Sequence, residues 1–118
     1  MIIEPLLSLF GLPDSRRTSA ISLAYLLNKI GRPAIPARQG ELNPETKFIL
    51  DKFGFEAPVL KTSFAGDELF ITDYSDIAQA PQDLDKTTVV GIVDHHKLGD
   101  ITTSAPLECW IRPVGCTN

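Results

Sequence analysis

Hydrophobic positions along the chain fall into strand-like runs and helix-like series. Residues 6–10, Leu-Leu-Ser-Leu-Phe, form a short apolar run of strand length, punctuated by Gly11, Pro13 and Asp14. Ala20, Leu23, Ala24, Leu27 and Ile30 then recur at helical spacing, which predicts a helix capped by Thr18 or Ser19 and stopped by Gly31 and Pro33. A second helix is expected with Asn43 as cap, Pro44 at its first position, Phe48, Ile49 and Phe53 turned inward, and Gly54 at its end. Residues 69–72 and 88–93 are nearly continuous in branched or aromatic residues, as strands buried on both faces are, and an aspartate follows each. Residues 107–111 read as one more strand.

Strands alternating with helices predict an α/β fold, with right-handed crossovers and a parallel sheet covered on both sides. In such sheets polar function gathers just beyond the carboxyl ends of the strands. That rule singles out Asp14, Asp73 and the run Asp94-His95-His96.

Composition narrows the function classes. A chain of 118 residues with 43% hydrophobic content has room for one domain and the means to build one core. A net charge of −4, with no basic run interleaved with aromatics, speaks against nucleic-acid binding. The longest uncharged apolar stretch, residues 18–28, has 11 residues, short of the roughly 18 that a bilayer span needs. Glu4 and Pro5 interrupt any signal-peptide pattern. A soluble, cytoplasmic protein with neither membrane nor nucleic-acid partner is expected. Cys109 and Cys116 match no zinc-ligand spacing and are expected to be reduced and buried.

Asp94-His95-His96 carries the sharpest chemical signal. Imidazole and carboxylate together suit a divalent ion of the Mn, Fe or Co kind. Asp73, 21 residues earlier at the end of the preceding strand, could bridge two cations with its two oxygens. Two cations about 3.5–4 Å apart clamp a phosphoryl oxygen and acidify water, which is hydrolase chemistry. Consecutive residues in an irregular turn point in different directions, so one histidine could ligate while the other reaches toward substrate. Ordinary turn roles compete with each of these readings: surface histidines, a turn former at Asp73, a turn residue or helix cap at Asp14.

Asp94-His95-His96, with Lys97-Leu98-Gly99-Asp100 after it, resembles the signature of the DHH phosphoesterase superfamily, and more narrowly the manganese-dependent family II inorganic pyrophosphatases. The resemblance runs from about Thr18 to Asn118, through residues 19–31, residues 38–48, the strand into Asp73, and Pro113-Val114-Gly115-Cys116-Thr117. Residues 40–48 and the Val114-Gly115-Cys116 turn look like the pyrophosphatase branch rather than the exonucleases of the superfamily. The resemblance implies a Rossmann-like parallel sheet with helices on both faces. Residues 1–118 would be a truncated DHH domain, without its C-terminal part and without the second, substrate-gripping domain.

The implied activity is metal-dependent hydrolysis of pyrophosphate to two phosphates, with two Mn²⁺ ions per site, or Co²⁺ or Mg²⁺ in their place. The alternatives are a DHH-type phosphodiesterase or exopolyphosphatase and, in another class, a non-catalytic α/β module. Carried over by residue, the metal ligands are Asp14, Asp73 and His95. His96 is the catalytic residue on the substrate phosphate, and Asp94 lies behind the ligands and orients the histidines. An unpaired sheet edge makes a homodimer an expected state.

The sequence departs from the family pattern at its opening motif. Only Leu12 stands between Gly11 and Pro13, so the first histidine ligand is missing, and Arg16 occupies the place of the second aspartate. A guanidinium has no lone pair for a cation. The last aspartate ligand of the family also lies beyond the sequence. Weak metal binding and little or no turnover by this polypeptide alone are therefore expected.

Overall fold

The structure, a computed structural model, describes residues 7–8, 15–42 and 44–114. Its elements are β1 (Leu7–Ser8), α1 (Ser15–Lys29), β2 (Ala37–Arg38), α2 (Pro44–Phe53), β3 (Val59–Leu60), β4 (Glu68–Thr72), β5 (Thr88–Asp94) and β6 (Glu108–Ile111), with 3₁₀ turns at Ile77–Gln79 and Leu84–Lys86. The six strands form one sheet in the order β3-β2-β1-β4-β5-β6, every pair parallel. The chain steps outward from β1 to β3, returns to the other side of β1 as β4, and steps outward again to β6. That reversal between β1 and β4 is where the carboxyl ends of a doubly wound sheet open into a crevice.

Both helices stop at the glycines expected to end them. Gly31 has φ +85°; its N–H donates to the Asn28 carbonyl at 3.3 Å, and the Arg32 N–H to the Leu27 carbonyl at 2.8 Å. Gly54 has φ +71° and closes α2 with the same paired bonds to Asp51 and Leu50. Only a residue free to take positive φ completes such a cap cheaply.

Two expectations about these helices need correction. α1 starts at Ser15, so Thr18 and Ser19 lie inside it and do not cap it. The apolar series marks where the helix face becomes buried, and the helix begins one turn earlier. α2 buries Thr46 and Leu50, whereas Phe48 and Phe53 are each 65% exposed. Phe48 lies two residues from both buried positions, roughly 200° around the helix from either. Apolar residues at 48, 49, 50 and 53 surround much of α2, and they leave the phase of its buried face undetermined.

The sheet separates two layers of core. On one face Ala20, Ala24 and Leu27 of α1 pack with Ala34 against Phe70, with Val90 alongside. Two alanines at the contact let the helix approach the sheet closely. On the other face Ile71, Tyr74, Val89 and Ile92 are covered by Ala80, Leu84, Ile101 and Leu107, from the 3₁₀ turns and crossover loops. β6 is the outer strand and is largely exposed, with Trp110 at 64%. Cys109 on this edge is free and exposed, against the expectation of burial, because no further described strand covers it. Cys116 lies outside the described residues.

β4 and β5 are joined through an irregularity. Leu69 pairs with Val89 but Phe70 pairs with Gly91, leaving Val90 as an extra residue in the ladder. The Phe70 ring crosses Gly91 so closely that a Cβ there would lie 2.5 Å from ring carbons. Gly91→Ala is therefore expected to displace the ring and cost about 1–3 kcal/mol, read as a lower urea midpoint; an unchanged midpoint would refute this packing account.

Asp83 ties the turn before β4 to the second 3₁₀ turn. Its Oδ2 accepts the Phe64 N–H at 2.8 Å, the Ala65 N–H at 3.0 Å and the Ser63 hydroxyl at 2.9 Å. The Phe64 amide, against an opposing effect of burial and helped by Ser63 and Ala65, holds the Asp83 carboxyl below its ordinary value of 3.8. The folded state then binds protons less readily than the unfolded chain. Its contribution to stability is complete above the unfolded value and lost as pH falls through the folded one. The chain should lose stability more steeply on acidification below about pH 4 than Asp83→Asn does, measured as urea midpoints across an acid series.

Candidate metal centre

The register of β4 on β5 sets Thr72 against Val93, which brings the next residues, Asp73 and Asp94, side by side at the strand ends. The Asp73 N–H donates to the Val93 carbonyl at 2.8 Å as the last rung. Asp73 itself has φ +67°, a left-handed conformation in which the chain leaves the sheet abruptly. Among side-chain residues aspartate is one of the few that enter this region often. Both carboxylates are buried, Asp73 at 1% and Asp94 at 2% exposure.

Asp94 organises the turn that follows it. Its Oδ1 accepts the backbone N–H of His95 at 2.7 Å and of His96 at 3.1 Å, and lies 2.7 Å from Nδ1 of His96. Its Oδ2 is buried with no hydrogen-bond partner among the described residues. The two imidazoles do not diverge, as consecutive turn residues were expected to. Their centroids are 4.1 Å apart with the planes tilted by 48°, because one carboxylate oxygen gathers both residues of the turn. They differ in surroundings: the His95 side chain is 19% exposed and that of His96 44%.

His95 stands between two acceptors. Nε2 is 2.8 Å from Oδ1 of Asp73, and Nδ1 is 3.2 Å from the Val114 carbonyl. A neutral imidazole has one N–H. With that proton on Nε2, His95 donates to Asp73 and its Nδ1 lone pair faces the carbonyl; with it on Nδ1, the Nε2 lone pair faces a carboxylate oxygen and the contact calls for a cation between them. His96 Nδ1 is 4.0 Å from the same Asp73 oxygen. One ligand atom from each of Asp73, Asp94, His95 and His96 lies within 4.8 Å of the others. Two carboxylates, two imidazoles and an orphaned buried oxygen make a mixed O/N donor set that fits Mn²⁺ and its neighbours in the first transition row.

Four of the five residues singled out in the sequence thus meet at one point. The fifth, Asp14, lies outside the described residues, and Arg16 falls in the first turn of α1. Two contributors escaped the sequence reading. The Val114 carbonyl is a backbone atom with no side-chain signal. Ser75, buried beneath the turn, carries no chemistry that singles it out.

An open parallel sheet with acidic and imidazole groups converging beside its strand-order reversal defines an α/β domain with a candidate divalent-metal centre. No family model matches the chain. It is 46% identical over 111 residues to a "probable manganese-dependent inorganic pyrophosphatase" of Archaeoglobus fulgidus, covering 84% of this chain and 34% of that protein. It is 43% identical over 99 residues to the manganese-dependent inorganic pyrophosphatase of Methanocaldococcus jannaschii, covering 84% of this chain and 30% of the relative. The crystal structure of a "putative family II inorganic pyrophosphatase" of Methanococcus jannaschii superposes with a TM-score of 0.87 at 38% identity, over 97% of this chain and 36% of that one. Over most of its own length, the chain is thus related to about one third of a family II, manganese-dependent inorganic pyrophosphatase.

Asp94→Ala is expected to strand the His95 and His96 N–H groups and cost about 1–3 kcal/mol of folding stability. It should also release the His96 ring, visible as a shift of its ¹⁵N imidazole resonances; a ring signal identical to the parent's would contradict the role given to Oδ1.

Proposed function

We propose that the chain carries part of the metal and phosphate site of an inorganic pyrophosphatase of the DHH superfamily, acting on pyrophosphate with Mn²⁺, or Co²⁺ or Mg²⁺ in its place. The observation that carries this reading is the 2.8 Å approach of His95 Nε2 to Asp73 Oδ1, with Nδ1 turned to a carbonyl. Asp73 and His95 hold metal, and Asp14 joins them by the family likeness. Ions held there would supply charge to neutralise phosphoryl oxygens and to acidify a water. Asp94 fixes the His96 ring through Nδ1, which leaves Nε2 of this more exposed histidine to meet the substrate phosphate and move a proton. The chain spans about a third of the length of the curated relatives it matches, and residues 1–118 are read as part of one DHH domain. The exposed edge strand β6 is the place for the expected homodimer. Among the described residues no helix is long and apolar enough to cross a membrane.

By itself the chain, with Leu12 and Arg16 in the opening motif, is expected to show no calorimetric heat with Mn²⁺ below the millimolar range and little phosphate release. The informative protein is a graft, with residues 68–114 placed at the matching positions of the full-length Archaeoglobus fulgidus relative. It should release phosphate from pyrophosphate and not from polyphosphate or short oligonucleotides, and His96→Gln within it should lower kcat by about 10²–10⁴. A folded graft that binds Mn²⁺ but leaves pyrophosphate intact would sink the reading.

A further inference from the structure

The separation of Asp73 from His95 is not set by the strands alone, since Asp73 stands at the last rung after β4 and His95 lies one residue beyond the end of β5. Each is followed by an irregular segment, and the two segments are fastened together. Ser75, 2% exposed, uses its hydroxyl in both directions: Oγ accepts the Gly99 N–H at 2.7 Å and donates to the Lys97 carbonyl at 3.4 Å. Its carbonyl accepts the Ile101 N–H at 3.1 Å, and Oδ1 of Asp100 accepts the Ile77 N–H at 2.8 Å.

Gly99 is where the two segments come closest. A Cβ there would lie 2.3 Å from the Ser75 carbonyl oxygen and 2.6 Å from its carbon. Those are backbone atoms with little room to yield. Lys97-Leu98-Gly99-Asp100 thus lies directly on 75–76, one residue beyond the histidines on one strand and two beyond Asp73 on the other.

We infer that Ser75 is a positioning residue for the metal centre: its hydroxyl clamps the segment after Asp73 to the segment after His96 and so fixes the distance between the Asp73 and His95 ligand atoms. It touches neither ligand side chain and acts through the backbone on which each is mounted. A buried hydroxyl with a single proton and both directions committed to the neighbouring segment admits one arrangement. Ser75→Ala leaves the Gly99 N–H without its acceptor and frees the two segments to separate. Ligand sets lose affinity steeply when their supports go, typically 10- to 100-fold.

The inference rests on the reading that Asp73 and His95 hold a divalent cation, and the test keeps the two apart. Mn²⁺ is titrated into the ¹⁵N-labelled 118-residue chain and the paramagnetic broadening of each backbone amide is followed, which detects even weak binding. In the parent chain broadening should centre on residues 73 and 94–96. Ser75→Ala should need about 10- to 100-fold more Mn²⁺ for the same broadening while keeping its circular dichroism, and Ser75→Thr, which retains the hydroxyl, should stay near the parent. Equal sensitivity in Ser75→Ala and parent, with Asp73→Ala losing the focus, overturns the clamp and leaves the metal reading standing. A focus that survives Asp73→Ala overturns the metal reading and the clamp with it. Should Ser75→Ala fail to fold, Asp100→Ala loosens the rim of the same contact; a several-fold shift in the same direction supports the clamp, and none refutes it.

Discussion

The register between β4 and β5 is the constraint on which the rest of the site depends. Leu69 is paired with Val89, and a ladder continued without interruption from there would set Asp73 opposite Val93. The extra residue at Val90 advances the pairing by one, so that Phe70 meets Gly91, Thr72 meets Val93 and Asp73 comes level with Asp94. One residue of strand is about 3.3 Å and also reverses the side on which a side chain emerges. The bulge, with a glycine beneath the Phe70 ring, thus ties the packing of the α1 face to the convergence of carboxylates at the sheet's end.

The centre breaks local rules that the rest of the molecule keeps. Two carboxylates are almost wholly buried, one with an oxygen that finds no partner among the described residues, and a non-glycine residue takes positive φ. Each feature is costly in isolation. Asp94 recovers part of that cost through the N–H groups of the next two residues. What remains is a concentration of negative charge beside two imidazoles, an arrangement that a bound cation would stabilise further. Departures from local consistency of this kind belong at functional sites.

Much of this was legible in the sequence where side-chain pattern and structure share a cause. Residues 69–72 and 88–93 read as buried strands because both faces of a parallel sheet are covered, and the aspartates after them marked the site because strand ends are where such sheets leave polar groups exposed to one another. Gly31 and Gly54 read as stops because few other residues supply the conformation. The pattern failed where neighbours decide. α2 carries apolar residues on both its buried and its exposed sides, so the pattern alone did not fix which side is buried, and Cys109 is exposed on β6, the outer of the described strands. The Val114 carbonyl was invisible in principle, since every residue has one.

The order in which contacts support one another bears on how the centre responds to an altered opening motif. Among the described residues, Asp94 Oδ1 gathers the turn after β5, Ser75 Oγ ties that turn to the segment after β4 through Lys97 and Gly99, and His95 meets Asp73 and the Val114 carbonyl. On the proposed reading, Leu12 and Arg16 would remove ligands from one side of a shared site, while the bonds among the described residues hold Asp73 and His95 together on the other. Geometry and affinity separate in such a centre: the arrangement is held by hydrogen bonds and packing, which persist, whereas tight binding needs the complete donor set to offset the dehydration of a divalent ion. On the proposed reading, departures at the first motif would weaken metal binding while the half of the centre built on β4 and β5 keeps its arrangement.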